Sequence, residues 1–131
     1  MSNPVSLYNL IGGEAAIREL VESFYDLVEI DPDGETVHVL HLRGHGINHL
    51  RRAQFEFLSG FFGGPKLYIA RTGHSNMRMM HEHVPISQVE VDSWLLIMMR
   101  NLENLGYEAA LKAKLMDHFK RAALMIKNLH D

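Results

Sequence analysis

The chain has 131 residues, 47% of them apolar and 22% charged, with a formal charge of −3 and an isoelectric point near 6.3. That length suits one domain with a real core, and the mildly acidic balance gives no reason to expect nucleic acid or an anionic membrane as partner. No cysteine is present, which excludes disulfides, iron–sulfur ligation and thiolate chemistry.

No apolar run approaches the ~20 residues needed to span a bilayer. The opening MSNPVSLYNL lacks the basic start and apolar stretch of a secretory signal. A single-domain, cytoplasmic protein is the expectation. Nine histidines and eight methionines are many for this length, and methionine suits either a soft core or the wall of a ligand pocket.

In chain order, residues 7–13, LYNLIGG, end in a double glycine that reads as a turn where two backbones approach closely. From Glu14 a helical period places Ile17, Leu20, Val21, Phe24, Leu27 and Val28 on one face, until Asp31-Pro32-Asp33-Gly34 ends it. Tyr25 lies beside that stripe, a rim position where the ring packs and the hydroxyl needs a partner. Residues 36–42, TVHVLHL, alternate like a strand. With no second strand to pair with, they are expected to form an irregular or 3₁₀ connection carrying His41 inward. His41, His45 and His49 would stand about 12 Å apart end to end in a helix, too far for one metal with ~2 Å bonds. Solvated loop histidines are the plainer reading.

A further helix is predicted from Ile47 to Phe62, with Ile47, Leu50, Gln54, Phe57, Leu58 and Phe61 inward. Gln54 interrupts that apolar face, so it should find a hydrogen-bond partner or face a cavity. Gly63-Gly64-Pro65 stops the helix, and KLYIARTGHSN reads as a long loop of the kind that often carries function. MRMMHEHVP reads as a short helical segment ended by Pro85. Ser87 to Glu90 form a capping-box pattern opening a helix with Val91, Trp94, Leu95, Met98, Leu102 and Leu105 inward, closed by Gly106. The last helix, from about Glu108, presents Leu111, Leu115, Phe119, Ala122, Ile126 and Leu129, with Lys120, Arg121 and Lys127 near its C-terminal end.

These elements sum to an all-α domain without repeat, linker, phosphate loop or nucleophile elbow. The HEH at 81–83 is not HExxH, whose ligands need i, i+4 spacing. His81, beside a methionine-rich turn and upstream of the only tryptophan, keeps two readings: a histidine with satisfied nitrogens, or an axial ligand to a flat iron cofactor.

The ordered set LYNLIGG, FYDLV at 24–28, FLSGFFGGPKLY at 57–68, TGH at 72–74, RMMH at 78–81 and DSWLLIMM at 92–99 covers almost the whole chain. It resembles the group II truncated haemoglobins, all-α globin-like proteins built as a two-over-two helical sandwich around a haem. The resemblance implies haem b (iron protoporphyrin IX) with His81 as the proximal iron ligand. It puts Tyr25, Trp94, His41, Gln54 and Leu50 around the distal ligand, with the Trp94 indole N–H aimed at it. Phe57, Leu58, Tyr68, His74, Arg78 and Met98 would contact the porphyrin or its propionates, and no catalytic residue is implied. The chain departs from the family's R-M-R-H-A-P-F with Arg78-Met79-Met80-His81-Glu82-His83-Val84. One arginine is thereby lost, and His83 becomes a rival for the iron.

The function so implied is reversible binding of O2, CO, NO or similar diatomics, for storage, transport or sensing. A redox alternative uses the same pocket as a peroxidase-like enzyme or nitric oxide dioxygenase, supplied by an external reductase because the chain has no flavin or nicotinamide motif. A helical protein without haem is the third reading. A monomer or homodimer is expected.

Overall fold

The structure, a computed structural model, describes residues 6–38, 47–74, 76 and 85–128. Helix α2 (Gly13–Ile30) is the beam against which two of the other long helices pack, because it carries apolar side chains around more than one face. Ile17, Leu20, Val21, Phe24 and Val28 are buried as the period predicts, and Tyr25 joins them with 1% of its surface exposed. The phenol is therefore a core residue, not a rim one. Before α2 runs the short α1 (Leu7–Ile11), joined through Gly12, whose φ of 121° is open only to glycine. After α2, the Asp31 carboxylate accepts the Asp33 N–H at 2.9 Å and starts a 3₁₀ turn, Pro32–Gly34. Residues 35–38 then continue as α-helix, so the first part of the expected irregular connection is helical, with Val37 buried.

Helix α3 (Ile47–Phe61) follows, then α4 (Leu67–Thr72), α5 (Gln88–Asn104) and α6 (Ala109–Ile126). No strand occurs among the described residues. Helix α4 corrects the expectation of a loop: six residues wind into a helix closed by Gly73 in the left-handed conformation. The capping box is present, with the Ser87 N–H donating to Glu90 Oε1 at 2.9 Å. The expected short helix around His81 lies outside the described residues, as do His41, His45, Arg78, His83 and Leu129.

Packing is pairwise. Helix α3 lies on α2, α6 lies on α5, and α2 also crosses α5, which stacks one pair over the other. The crossing is fixed by Asn101, 1% exposed, whose Nδ2 donates to the Leu20 carbonyl at 3.0 Å. A buried amide without such a partner would cost about 1–3 kcal/mol. At the other end of the core Gly64 meets α1, where an added Cβ would stand 2.2 Å from the Tyr8 ring. No contact as extensive as these joins α3 to α5 or α6. Among the described residues no helix is long and apolar enough to cross a membrane.

Candidate functional site

Helix α3 carries more apolar surface than α2 alone covers. Its apolar residues form two stripes. Phe55, Leu58 and Phe62, at i, i+3 and i+7, close against the core. Leu50, Gln54, Phe57 and Phe61, at i, i+4, i+7 and i+11, stay partly open. The sequence pattern mixed the two, taking Phe57 and Phe61 as core and passing over Phe55. A helix with two apolar stripes needs two partners; α2 is one of them.

Helix α5 repeats the arrangement. Val91, Ile97, Met98 and Leu102 are buried, while Trp94, Leu95 and Met99 are packed on the core but incompletely covered. Trp94 is held by rings on two sides, Phe24 at 5.0 Å and Phe119 at 5.3 Å between centroids. Among the described residues its indole N–H meets no hydrogen-bond partner, and neither does the Gln54 side chain. Two part-buried polar groups beside two partly covered apolar stripes are what the wall of a ligand site presents.

The aromatic lining continues toward the surface. Phe57 stacks on Phe61 at 5.4 Å and meets Tyr68 edge-on at 6.2 Å, and Tyr68 meets the His74 ring at 5.9 Å. Local bonds order this corner. Thr72 Oγ1 donates to the Tyr68 carbonyl at 2.8 Å, and the Asn76 N–H donates to His74 Nδ1 at 3.2 Å. Beneath it, Arg71 grips both oxygens of the nearly buried Glu56 carboxylate at 2.7 and 3.0 Å, pinning α4 to α3. Sequence pattern missed Glu56, since a carboxylate in an apolar helix face signals nothing until its arginine is located.

Of the residues expected around a porphyrin, the structure brings Leu50, Gln54, Phe57, Trp94, Tyr68 and His74 to partly open positions. Leu58 and Met98 are instead closed in the core, with 1% and 0% exposure. Both belong to the core cluster that α2 shares. Tyr25 is also covered, and burial pushes its phenol well above the usual tyrosine value, an effect the Arg51 charge partly offsets. It therefore stays protonated and remains a donor. His81, His41 and Arg78 lie outside the described residues. No group of three metal-ligating side chains occurs among the described residues.

The lining fits a haem in kind: large rings and aliphatic chains for a flat apolar body, neutral donors for what it binds, and polar residues at one margin. The family model for bacterial-like globins matches residues 6–128. The chain belongs to the bacterial-like globin family. This globin is 28% identical over 116 residues to a group 2 truncated hemoglobin of Bacillus subtilis, covering 88% of this chain and 84% of the relative. Among solved structures it superposes on the group II 2-on-2 hemoglobin of Agrobacterium tumefaciens with a TM-score of 0.88 at 29% identity, covering 99% and 98% of the two chains. A truncated oxygen-avid haemoglobin from Bacillus subtilis matches with a TM-score of 0.81 at 28% identity, over 95% and 100% of the chains. The globin fold expected from the sequence, two-over-two and all-α, is borne out.

Proposed function

We propose that this globin holds haem b in the space between α3 and α5 and uses it to bind O2, CO or NO reversibly. The observation that carries the reading is the paired set of partly open stripes, Leu50–Phe57–Phe61 and Trp94–Leu95–Met99, with an indole N–H between rings that meets no hydrogen-bond partner among the described residues. When bound, haem supplies a ferrous iron that takes up and releases a diatomic ligand.

The chain does the rest. His81 would hold the iron through one nitrogen of a neutral imidazole, and its other N–H would donate to a neighbouring acceptor. Leu50, Phe57 and Phe61 exclude water, which strengthens any hydrogen bond made in the pocket. Trp94 can only donate, and Tyr25, kept neutral by burial, can donate too. Two neutral donors favour a ligand that gathers negative charge, as O2 does, over one that does not, as CO. Gln54 offers both a donor and an acceptor from α3, while Tyr68, His74 and Arg78 are assigned to the propionate margin. The truncated oxygen-avid haemoglobin of Bacillus subtilis, to which this chain is similar, points the same way. A cytoplasmic setting, supported by the cysteine-free sequence, and an external reductase that keeps the iron ferrous complete the proposal.

The experiment is an equimolar titration of the purified protein with hemin, followed by absorption spectra of the ferric, ferrous and CO-treated forms. Stoichiometric binding with a single sharp Soret band supports the reading. Free hemin throughout the titration would overturn it.

A further inference from the structure

One arginine stands apart from the surface charges. Arg51, on α3 between Leu50 and Gln54, has only 15% of its side chain exposed. Its guanidinium reaches back to α2. Nη1 donates to the Glu22 carbonyl at 3.1 Å and to Glu22 Oε2 at 2.8 Å, and Nη2 donates to Asp26 Oδ1 at 2.9 Å and to Glu29 Oε1 at 3.5 Å. Glu22, Asp26 and Glu29, at i, i+4 and i+7, form one stripe of like charge that Arg51 bridges. The same guanidinium lies 5.9 Å from the centroid of the Tyr25 ring. A lysine could satisfy one of these carboxylates as a point charge, but the planar fork reaches several at once.

We propose that Arg51 is the positioning residue of the distal pocket: by gripping three carboxylates of α2 it holds the first half of α3 over Tyr25 and sets how long a small ligand is retained. The geometry connects the parts. Leu50 precedes Arg51 and Gln54 follows one turn later, so both pocket-facing side chains move with the clamp. Tyr25 lies on α2 beside the gripped stripe, so the same clamp fixes the separation between its ring and α3. The i+4 salt bridges of α2 and α6, Arg18 with Glu14 and Arg121 with Asp117, lie within one helix and exert no such control. The effect on ligand retention rests on the proposed haem function; the effect on Tyr25 does not.

Two measurements separate those claims. In cofactor-free protein, tetranitromethane nitration of Tyr25, followed by peptide mass spectrometry, reads whether α3 still covers the phenol, with half-exposed Tyr68 as internal reference. Arg51→Met is expected to speed Tyr25 nitration by about tenfold through local opening, leaving Tyr68 unchanged. In haem-loaded protein the same variant is expected to release O2 about tenfold faster and to broaden the CO stretching band as donors lose a fixed position. Arg51→Lys should restore part of both effects. If Arg51→Met does not fold, Asp26→Asn carries the same test from the other side of the clamp. Unchanged Tyr25 nitration overturns the proposal whatever the haem result. Faster nitration with unaltered O2 release and CO band overturns the control of retention, while failure to bind haem at all counts against the function and leaves the clamp to the nitration result.

Discussion

Replacing Trp94 by phenylalanine isolates one hydrogen-bond donor. Phenylalanine keeps a ring between Phe24 and Phe119, which lie 5.0 and 5.3 Å from the indole, so most of the packing survives. The lost volume should cost about 1–2 kcal/mol of stability, since the site is only partly covered. The lost N–H is different in kind: it meets no hydrogen-bond partner among the described residues. A donor to a ligand bearing negative charge is worth about 1.5–3 kcal/mol, which predicts O2 dissociation faster by roughly 10- to 150-fold. Stopped-flow displacement of O2 by CO measures this directly. CO release, lacking the charge, should change by less than about threefold. An O2 off-rate unchanged in Trp94→Phe, or equal acceleration for both ligands, would refute the assignment of the indole as donor.

Other outcomes follow from the same geometry. Tyr25→Phe should also speed O2 release, and the Trp94→Phe/Tyr25→Phe double variant should be less than additive if the two donors share one ligand, read in a double-mutant cycle. Asn101→Ala should lower stability by about 1 kcal/mol in urea unfolding of cofactor-free protein, because the Leu20 carbonyl loses one of its donors inside the core and keeps the Ser23 hydroxyl. Gly64→Ala should destabilise by about 1–3 kcal/mol through collision with the Tyr8 ring, and Tyr8→Ala should relieve part of that penalty. Asp31 is held below the usual carboxylate value, first by the Asp33 N–H and also by Arg100. A depressed folded value means its contribution is present above the unfolded pKa near 4 and is lost as pH falls through the lower folded value. Asp31→Asn should therefore flatten the acid side of the stability curve below about pH 4 and leave its neutral side parallel.

Much of this was legible in the chain. The period of α2, the capping box of α5 and the glycine stops gave the four long helices nearly to the residue, and the ordered motifs gave the fold family. The misses share a cause: pattern reports that a residue is apolar, not what covers it. Helix α3 carries Phe55, Phe57, Leu58, Phe61 and Phe62 around two faces, and no period distinguishes a stripe closed by α2 from one left for a cofactor. The same holds for Leu58 and Met98, whose burial in the core no period announces. Helix α4 was read as loop because six residues are too few to show a period. Asn101 and Glu56 passed unnoticed since their partners, Leu20 and Arg71, are set by tertiary contact. Tyr25 looked like a rim residue because a single helix period cannot register that α2 is covered from two sides.

On the proposed function, the His81 imidazole would hold the iron, and Trp94 and Tyr25 would donate to what the iron binds. Absorption and resonance Raman spectra of ferrous His81→Ala beside the unsubstituted protein, both loaded with hemin and reduced, test it most directly. An iron–histidine stretching band is expected in the unsubstituted protein and gone in His81→Ala, with haem weakly held and the pocket recovered by added imidazole. A variant that keeps the native band, with haem as firmly bound as before, would contradict it and send the search for the ligand to His83.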